Sequence, residues 1–467
     1  MKKIFLLFAF TCTLFTTKAN NILVTNASLS GQNTTTHSTL VNFDVSWENS
    51  WRTSTNENNY DGAWIFVKFR KNGTTDWRHA TINITGNTPA SGATVTVPAD
   101  GKGAFIYRSA NGIGNINYTA NVIRWNYGAD GILDNETVEI LVYGLEMVYI
   151  PTGSYQLGSG GSETNAFSDG ASAVPYLVTS NNAINLGTTA GTLNPNGAGA
   201  ATGTIPAAFP KGYNAYWIMK YECSQQQYVD FLNNLDLARA TQNQSPTIFT
   251  GVHPALIAPQ PERAIGQLGT NKLAAFADWS GLRPMSELEF EKACRGYNTP
   301  AVPNEFAWGN TTIVAVNAII NDGAADETVS VPLNANACIA LGLGNRTVRT
   351  GIFARTTGSD RTLSGATYYG VMNMSDNVHE ICFSMVNAQG KAIDASIHGN
   401  GYLGADGKTD IPAWLPFQAY GLRGGSYNSP VSFARVSDRA YDNLFTAIYG
   451  ADTDQPNFGI RLTRTAP

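Results

Sequence analysis

Only a few side chains in this 467-residue chain combine the type and spacing that chemistry requires, and most lie near its C-terminus. His379 and Glu380 stand side by side, followed by Ile381, Cys382 and Phe383. An adjacent His-Glu pair invites a zinc-hydrolase reading, in which two histidines one helical turn apart hold the metal and the glutamate acts as base. The second histidine is missing, because Phe383 stands in its place. The chain has five histidines, too widely dispersed for a His-rich metal centre. No two cysteines have the Cys-x-x-Cys spacing of zinc ribbons and dithiol redox sites. Arg283, Arg423 and Arg461 are the other candidates. Buried guanidinium forks that tie loops together through carboxylates and carbonyls are their expected role.

The elements that position these residues follow from composition. Apolar residues make up 43% of the chain, ample for a buried core, and charged residues only 14%. The polar surface must therefore come largely from Asn, Thr, Ser and Gly, which suits strands with long loops. Lys2 and Lys3 precede an apolar run from Ile4 to Phe15, and Thr17 to Ala19 offers a small-residue cleavage site, so residues 1–19 read as a secretory signal. The residues before Cys12 do not favour a lipoprotein anchor, and no later segment is apolar for long enough to cross a membrane. The expected location is extracellular, secreted or at the cell surface. Removing the leader takes the net charge from −5 to about −8. No basic stripe is present, which argues against nucleic acid as a partner. Cys223, Cys294, Cys338 and Cys382 remain; export permits disulfides, four cysteines allow three pairings, and the simpler expectation is buried small hydrophobes with room for one bridge.

Residues 20–145 alternate apolar and polar positions in runs such as Leu40–Trp47, Ala63–Arg70, Ala93–Val97, Ala104–Tyr107, Val122–Trp125 and Val138–Tyr143. Period-two alternation with turns such as Asn72-Gly73 predicts an antiparallel β-sandwich, immunoglobulin-like or related. Trp47, Trp51, Trp64, Trp77 and Trp125 fall here, and core packing is expected over a carbohydrate platform. A second unit spans 146–467. It contains a Gly/Ser/Asn-rich insertion at about 159–210, read as a surface loop. Helices are predicted over Gln225–Leu235, Leu273–Trp279 and after Ser286, where Ser286 and Glu289 form a capping box and Gly296 a left-handed stop. The fold class is α+β.

The blocks of this second unit have a family order. Glu146–Gly153 resembles the opening strand of the formylglycine-generating enzyme, or sulfatase-modifying factor (FGE-sulfatase), family. Glu222 to Leu232 is similar to its first helix. Leu282–Gly296 resembles its most specific element, Ala307–Gly309 the Trp-Gly that follows, and Asn373–Glu380, Arg423–Tyr427 and Asn457–Leu462 its closing blocks. The resemblance implies an irregular C-type-lectin-like domain.

It also implies a metal and places a catalytic pair. Members bind calcium in the turn corresponding to Asn373–Glu380. The expected donors are the Asn373 and Glu380 side chains and the carbonyls of Asp376 and Val378, a sensible oxygen set for a hard cation. Asp376 replaces the usual Gly, adding charge but losing freedom to adopt positive φ, and a metal-free turn held by the same side chains is the alternative. Members of the family that oxidise cysteine hold Cu(I) with two thiols placed shortly after Arg-Gly-Gly-Ser; those places here hold Ser429 and Ala434. A hydroxyl and a methyl cannot supply soft thiolate ligands, so copper and oxidase activity are not expected. The β-rich N-terminal unit, with His37 and His79 alone, does not support the ergothioneine-forming activity of relatives with a helical iron-binding domain.

The expectation is a non-catalytic binding or surface-structural protein whose partner is an extracellular protein or a glycan, with self-association open. The contact surface is placed at Tyr427, Asn428, Ser429, Ser432, Phe433, Tyr441, Asn443 and Tyr449, residue types suited to adaptable recognition. An alternative follows from the resemblance of Arg423–Tyr427, Arg435, Arg439 and Gly459–Leu462 to the frame of retroelement-diversified display proteins, whose variable region would lie near 427–449. Formylglycine formation in sulfatases is the disfavoured alternative.

Overall fold

Alternating apolar side chains drive the first third of the chain into two antiparallel layers. The computed structural model describes residues 21–197, 202–244, 248–297, 299–354 and 360–467; the leader lies outside the described residues. The strands are β1 (Leu23–Asn33), β2 (Ser38–Arg52), β3 (Tyr60–Lys71), β4 (Arg78–His79), β5 (Ala93–Thr96), β6 (Ala104–Arg108), β7 (Gly112–Trp125) and β8 (Val138–Ile150). One layer pairs β1 and β7 with β2, the other pairs β3 with β4, β6 and β8, and β5 with β6, and Arg52 opposite Tyr60 joins β2 to β3 so that the layers are one continuous sheet. Val41, Phe43, Val45 and Trp47 of β2 pack against Ala63, Ile65, Val67 and Phe69 of β3 between the layers. Trp47, Trp64 and Trp125 are fully buried, whereas Trp51 and Trp77 are half-buried.

β3 has no solvent face along its centre. Trp64 and Phe66 point away from the first core into a second, where Trp64 Nε1 donates to Ser280 O at 2.8 Å. This explains why Ala63–Phe69 is nearly continuous in apolar residues, as expected of a strand covered on both sides.

β8 carries the sheet onward without a break at 145/146. It pairs with β3 from Val138 to Tyr149, while Met147–Ile150 also pair with the strand Tyr216–Met219. That strand pairs with Leu462–Thr465, and Leu462–Thr463 pair with Arg283–Pro284. A separate sheet places His379–Phe383 between Tyr420–Arg423 and Phe458–Gly459. The junction is dense: the Trp217 ring stacks on Phe105 with centroids 4.4 Å apart and meets Tyr60 edge-on at 5.3 Å. A Cβ on Gly62 would lie 2.9 Å from Ile106 O and 3.2 Å from the Trp217 ring, so no larger residue fits there without displacement.

Helices α1 (Gln225–Asn234), α2 (Leu237–Asn243), α3 (Thr270–Ser280) and α4 (Glu287–Arg295) surround this second unit. Ser224 and Gln227 form a capping box on α1 beyond the one expected on α4, where Ser286 and Glu289 cap each other's backbone. Gly296 ends α4 at φ 80° but ψ 178°, so its stop is not the left-handed one expected. The insertion is not a bare loop. Short strands at 168–169, 184–186, 193–194 and 203–205 form a small sheet, and Phe167, Leu193, Ile205 and Phe209 enter the core. Its residues 198–201 lie outside the described residues. Cys223, Cys294, Cys338 and Cys382 are all buried and unpaired.

Truncating Trp217 to Ala removes the ring that packs the family unit against Phe105 and Tyr60 of the N-terminal strands. It should destabilise the chain by about 3–5 kcal/mol, the range for a fully buried large aromatic, measured as a lower urea midpoint in a single transition.

Candidate functional site

The turn from Asn373 to Glu380 needs left-handed backbone at two asparagines, Asn373 (φ 59°) and Asn377 (φ 68°), a conformation Asn tolerates better than most residues. Asn373 Oδ1 accepts the Gly351 N–H at 2.7 Å, and its Nδ2 donates to Asp376 Oδ1 at 3.2 Å. Asp376 Oδ2 accepts the Cys338 N–H at 2.7 Å. Glu222 receives Asn377 Nδ2 at 2.5 Å and the Val378 N–H at 3.1 Å. Arg461 Nε donates to Glu380 Oε1 at 2.6 Å, while its Nη1 and Nη2 reach Met219 O and Met372 O.

Charge does not balance here. Glu222, Asp376 and Glu380 are buried around the single guanidinium of Arg461. Burial pushes the Asp376 carboxyl up to about 7, and it raises Glu380 against the pull of Arg461. Glu380 Oε2 is buried with no hydrogen-bond partner. Among the described residues no group of three His, Cys, Asp or Glu side chains has metal-holding geometry. The excess negative charge and the orphaned oxygen fit a hard cation. The Asn373 amide oxygen and Glu380 Oε1 are already engaged, so Glu380 Oε2 and the carbonyls of Asp376 and Val378 are the oxygens left to hold it.

A second network ties α4 to the C-terminal segments. Every residue of this helix from Glu287 to Arg295 is buried, acids included. Arg423 reaches Glu287 Oε2 at 3.2 Å, Glu291 Oε1 at 2.5 Å and Val436 O at 2.7 Å. Arg439 Nε donates to Glu287 Oε2 at 2.7 Å, and its Nη1 binds the insertion through Asn165 O and Pro195 O. Arg295 pairs with Glu291 and Glu305, and Arg283 forks onto Glu289 at 2.6 and 2.8 Å. The expected structural role of Arg283, Arg423 and Arg461 agrees with these contacts.

The two positions after Arg423–Ser426 are sealed. Ala434 is fully buried. Ser429 Oγ lies 2.9 Å from His379 Nε2 and 2.6 Å from Ser426 Oγ. His379 Nδ1 faces Gly424 O at 2.6 Å and must donate to it, so neutral His379 presents a bare Nε2 that accepts from Ser429. Burial depresses the imidazole to about 4, which keeps it neutral at physiological pH. The single Ser426 O–H has Ser429 Oγ and Asn428 Oδ1 as alternative acceptors, and Asn457 Nδ2 donates to Ser426 Oγ and to Asn428 Oδ1. Nothing in residue spacing announces the His379–Ser429 pair; only the fold joins them.

The expected recognition residues divide into three groups. Asn428, Ser432 and Tyr449 are exposed, with Ile448 beside them. Phe433, Tyr441 and Asn443 are half-buried; the Phe433 and Tyr441 rings lie 4.7 Å apart, and Tyr441 meets His379 edge-on. Tyr427 and Ser429 are buried, so they stand behind this surface rather than on it.

Fold and site together define a strand-rich α+β domain held by a buried Arg–Glu frame and fronted by an aromatic and amide surface. Residues 143–466 match the sulfatase-modifying factor enzyme 1-like (FGE-sulfatase) domain, and the chain belongs to that family. No curated protein matches the chain.

Replacing Glu287 by Gln leaves Arg423 and Arg439 short of a buried counter-charge. The loss should be about 3–5 kcal/mol, against less than about 1 kcal/mol for Glu139→Gln at the surface pair with Arg70, read by denaturant unfolding.

Proposed function

We propose that this is an exported binding or surface-structural member of the FGE-sulfatase family, without copper-dependent oxidase chemistry. The observation that carries this reading is the pair Ser429 and Ala434. One hydroxyl is committed to His379 and one methyl is closed in the core, where the chemistry needs two thiolates. The N-terminal layers are read as an immunoglobulin-like sandwich and the family unit as C-type-lectin-like. The contact surface is Asn428, Ser432, Phe433, Tyr441, Asn443, Ile448 and Tyr449, and the partner is an extracellular protein or glycan. Calcium in the Asn373–Glu380 turn belongs to the same reading: it neutralises the carboxylates that Arg461 leaves unbalanced and stiffens the scaffold behind the surface.

Two measurements test the chemistry. The wild-type chain should neither bind Cu(I) tightly nor oxidise a cysteine peptide, whereas Ser429→Cys combined with Ala434→Cys should gain Cu(I) binding. Copper-dependent turnover by the wild type would sink the proposal. For the surface, ligands found by screening glycans and extracellular proteins should bind at least about tenfold more weakly to Ile448→Asp with Tyr449→Ala, at an unchanged melting temperature. Binding that survives the pair locates the contact elsewhere. Chelation should lower the melting temperature and added calcium restore it; an unchanged value removes calcium from the account.

A further inference from the structure

Lys220 stands where the two units of the chain meet. It follows the strand Tyr216–Met219, and its backbone N–H donates to Glu146 O on β8 at 2.9 Å. Asp61 lies on β3, across β8 from that strand. The Lys220 side chain, 4% exposed, reaches across β8 so that Nζ is 3.1 Å from Asp61 Oδ2 and 3.1 Å from Glu146 Oε2. Both carboxyl groups are buried. Asp61 is surrounded by donors: Trp47 Nε1 at 3.0 Å on Oδ2, and Ser50 Oγ at 2.7 Å and the Trp51 N–H at 3.1 Å on Oδ1. The Trp51 ring lies 5.0 Å from Nζ and closes that side.

A lysine amine, a carboxyl group in contact with it and a second carboxyl group able to carry protons are the components of an amide-forming site. We propose that Lys220 and Asp61 join in an intramolecular isopeptide bond, with Glu146 as the proton carrier. Burial alone would strip Lys220 of its proton, but the Glu146 and Asp61 carboxylates counter it and hold the ammonium charged. The first step is therefore proton transfer from Nζ to Glu146, whose carboxyl burial biases toward the protonated form. The freed amine attacks Asp61 Cγ and a C–N bond forms. Ser50 Oγ–H and the Trp51 N–H face Oδ1, where charge develops, as an oxyanion hole does. Glu146 returns its proton to Oδ2, the Cγ–Oδ2 bond breaks, and a second proton from Nζ completes one molecule of water. Glu146 ends as it began, a carboxylate. Nothing is oxidised or reduced, and no co-reactant is needed. Fixed geometry raises the effective concentration of the amine, exclusion of water opposes hydrolysis, and the product replaces a desolvated ion pair with a neutral amide.

The test is intact-mass measurement of the purified, denatured full-length protein, followed by tryptic digestion. The chain should be lighter by one water than its sequence requires, trypsin should fail to cut after Lys220, and one branched peptide should carry both Asp61 and Lys220. Lys220→Arg and Glu146→Gln should each recover the water and give separate peptides. A wild-type chain of full mass with unlinked peptides overturns the bond. A branched peptide that persists in Glu146→Gln overturns the role given to Glu146. Because wild-type mass decides the main point, instability of a variant leaves the test intact.

Discussion

The burial of charge on α4 is the constraint from which the family unit takes its shape. Glu287 and Glu291, one turn apart, share Arg423, while Glu289 faces Arg283, on a helix whose residues are all buried. A buried carboxylate without a partner is among the costliest features a fold can carry, so each must be met by a guanidinium delivered from elsewhere. Arg283 arrives from the adjacent strand, Arg423 from the strand beside His379–Phe383, and Arg439 from the loop beyond it. With few regular elements after α4, this electrostatic frame does for the C-terminal loops what hydrogen-bonded sheets do elsewhere. It also reaches the insertion, whose carbonyls at Asn165 and Pro195 accept from Nη1 of Arg439.

Much of the fold was legible because its determinants are local. The Ser286–Glu289 box fixed the start of α4, and period-two runs fixed most long strands of the N-terminal layers. Trp47, Trp64 and Trp125 behaved as large rings between or behind layers do. The insertion reads as a loop because its strands are two or three residues long, too short for periodicity to register, and because its composition is rich in Gly and Asn. Gly296 was identified as a stop for its positive φ, yet ψ depends on where the chain must go next, which sequence does not record. The candidate site was legible as motifs and illegible as contacts. Ser429 and His379 are fifty positions apart and Asn377 and Glu222 further still, so their pairing follows from tertiary packing alone. The burial of Tyr427 belongs to the same class: a tyrosine beside exposed Asn428 gives no sign of facing inward.

The surroundings of Ser429 satisfy a buried hydroxyl. His379 supplies the acceptor that a buried hydroxyl requires, Gly424 O fixes its tautomer, and Ser426, Asn428 and Asn457 extend the hydrogen bonds to the surface. Buried polar groups satisfied in this way rigidify what they join. Ser429 and His379 form a hydrogen-bonded brace beneath Tyr441 and Phe433.

One strand has a mechanical meaning. β8 gives its first residues to the N-terminal layer and its last to the family unit, with Met147–Tyr149 paired on both sides. Tension applied to either unit is therefore delivered along hydrogen bonds loaded in shear, many at once, rather than peeled from a flexible tether one at a time. The N-terminal layers and the family unit are thereby held in one fixed orientation by a strand that belongs to both.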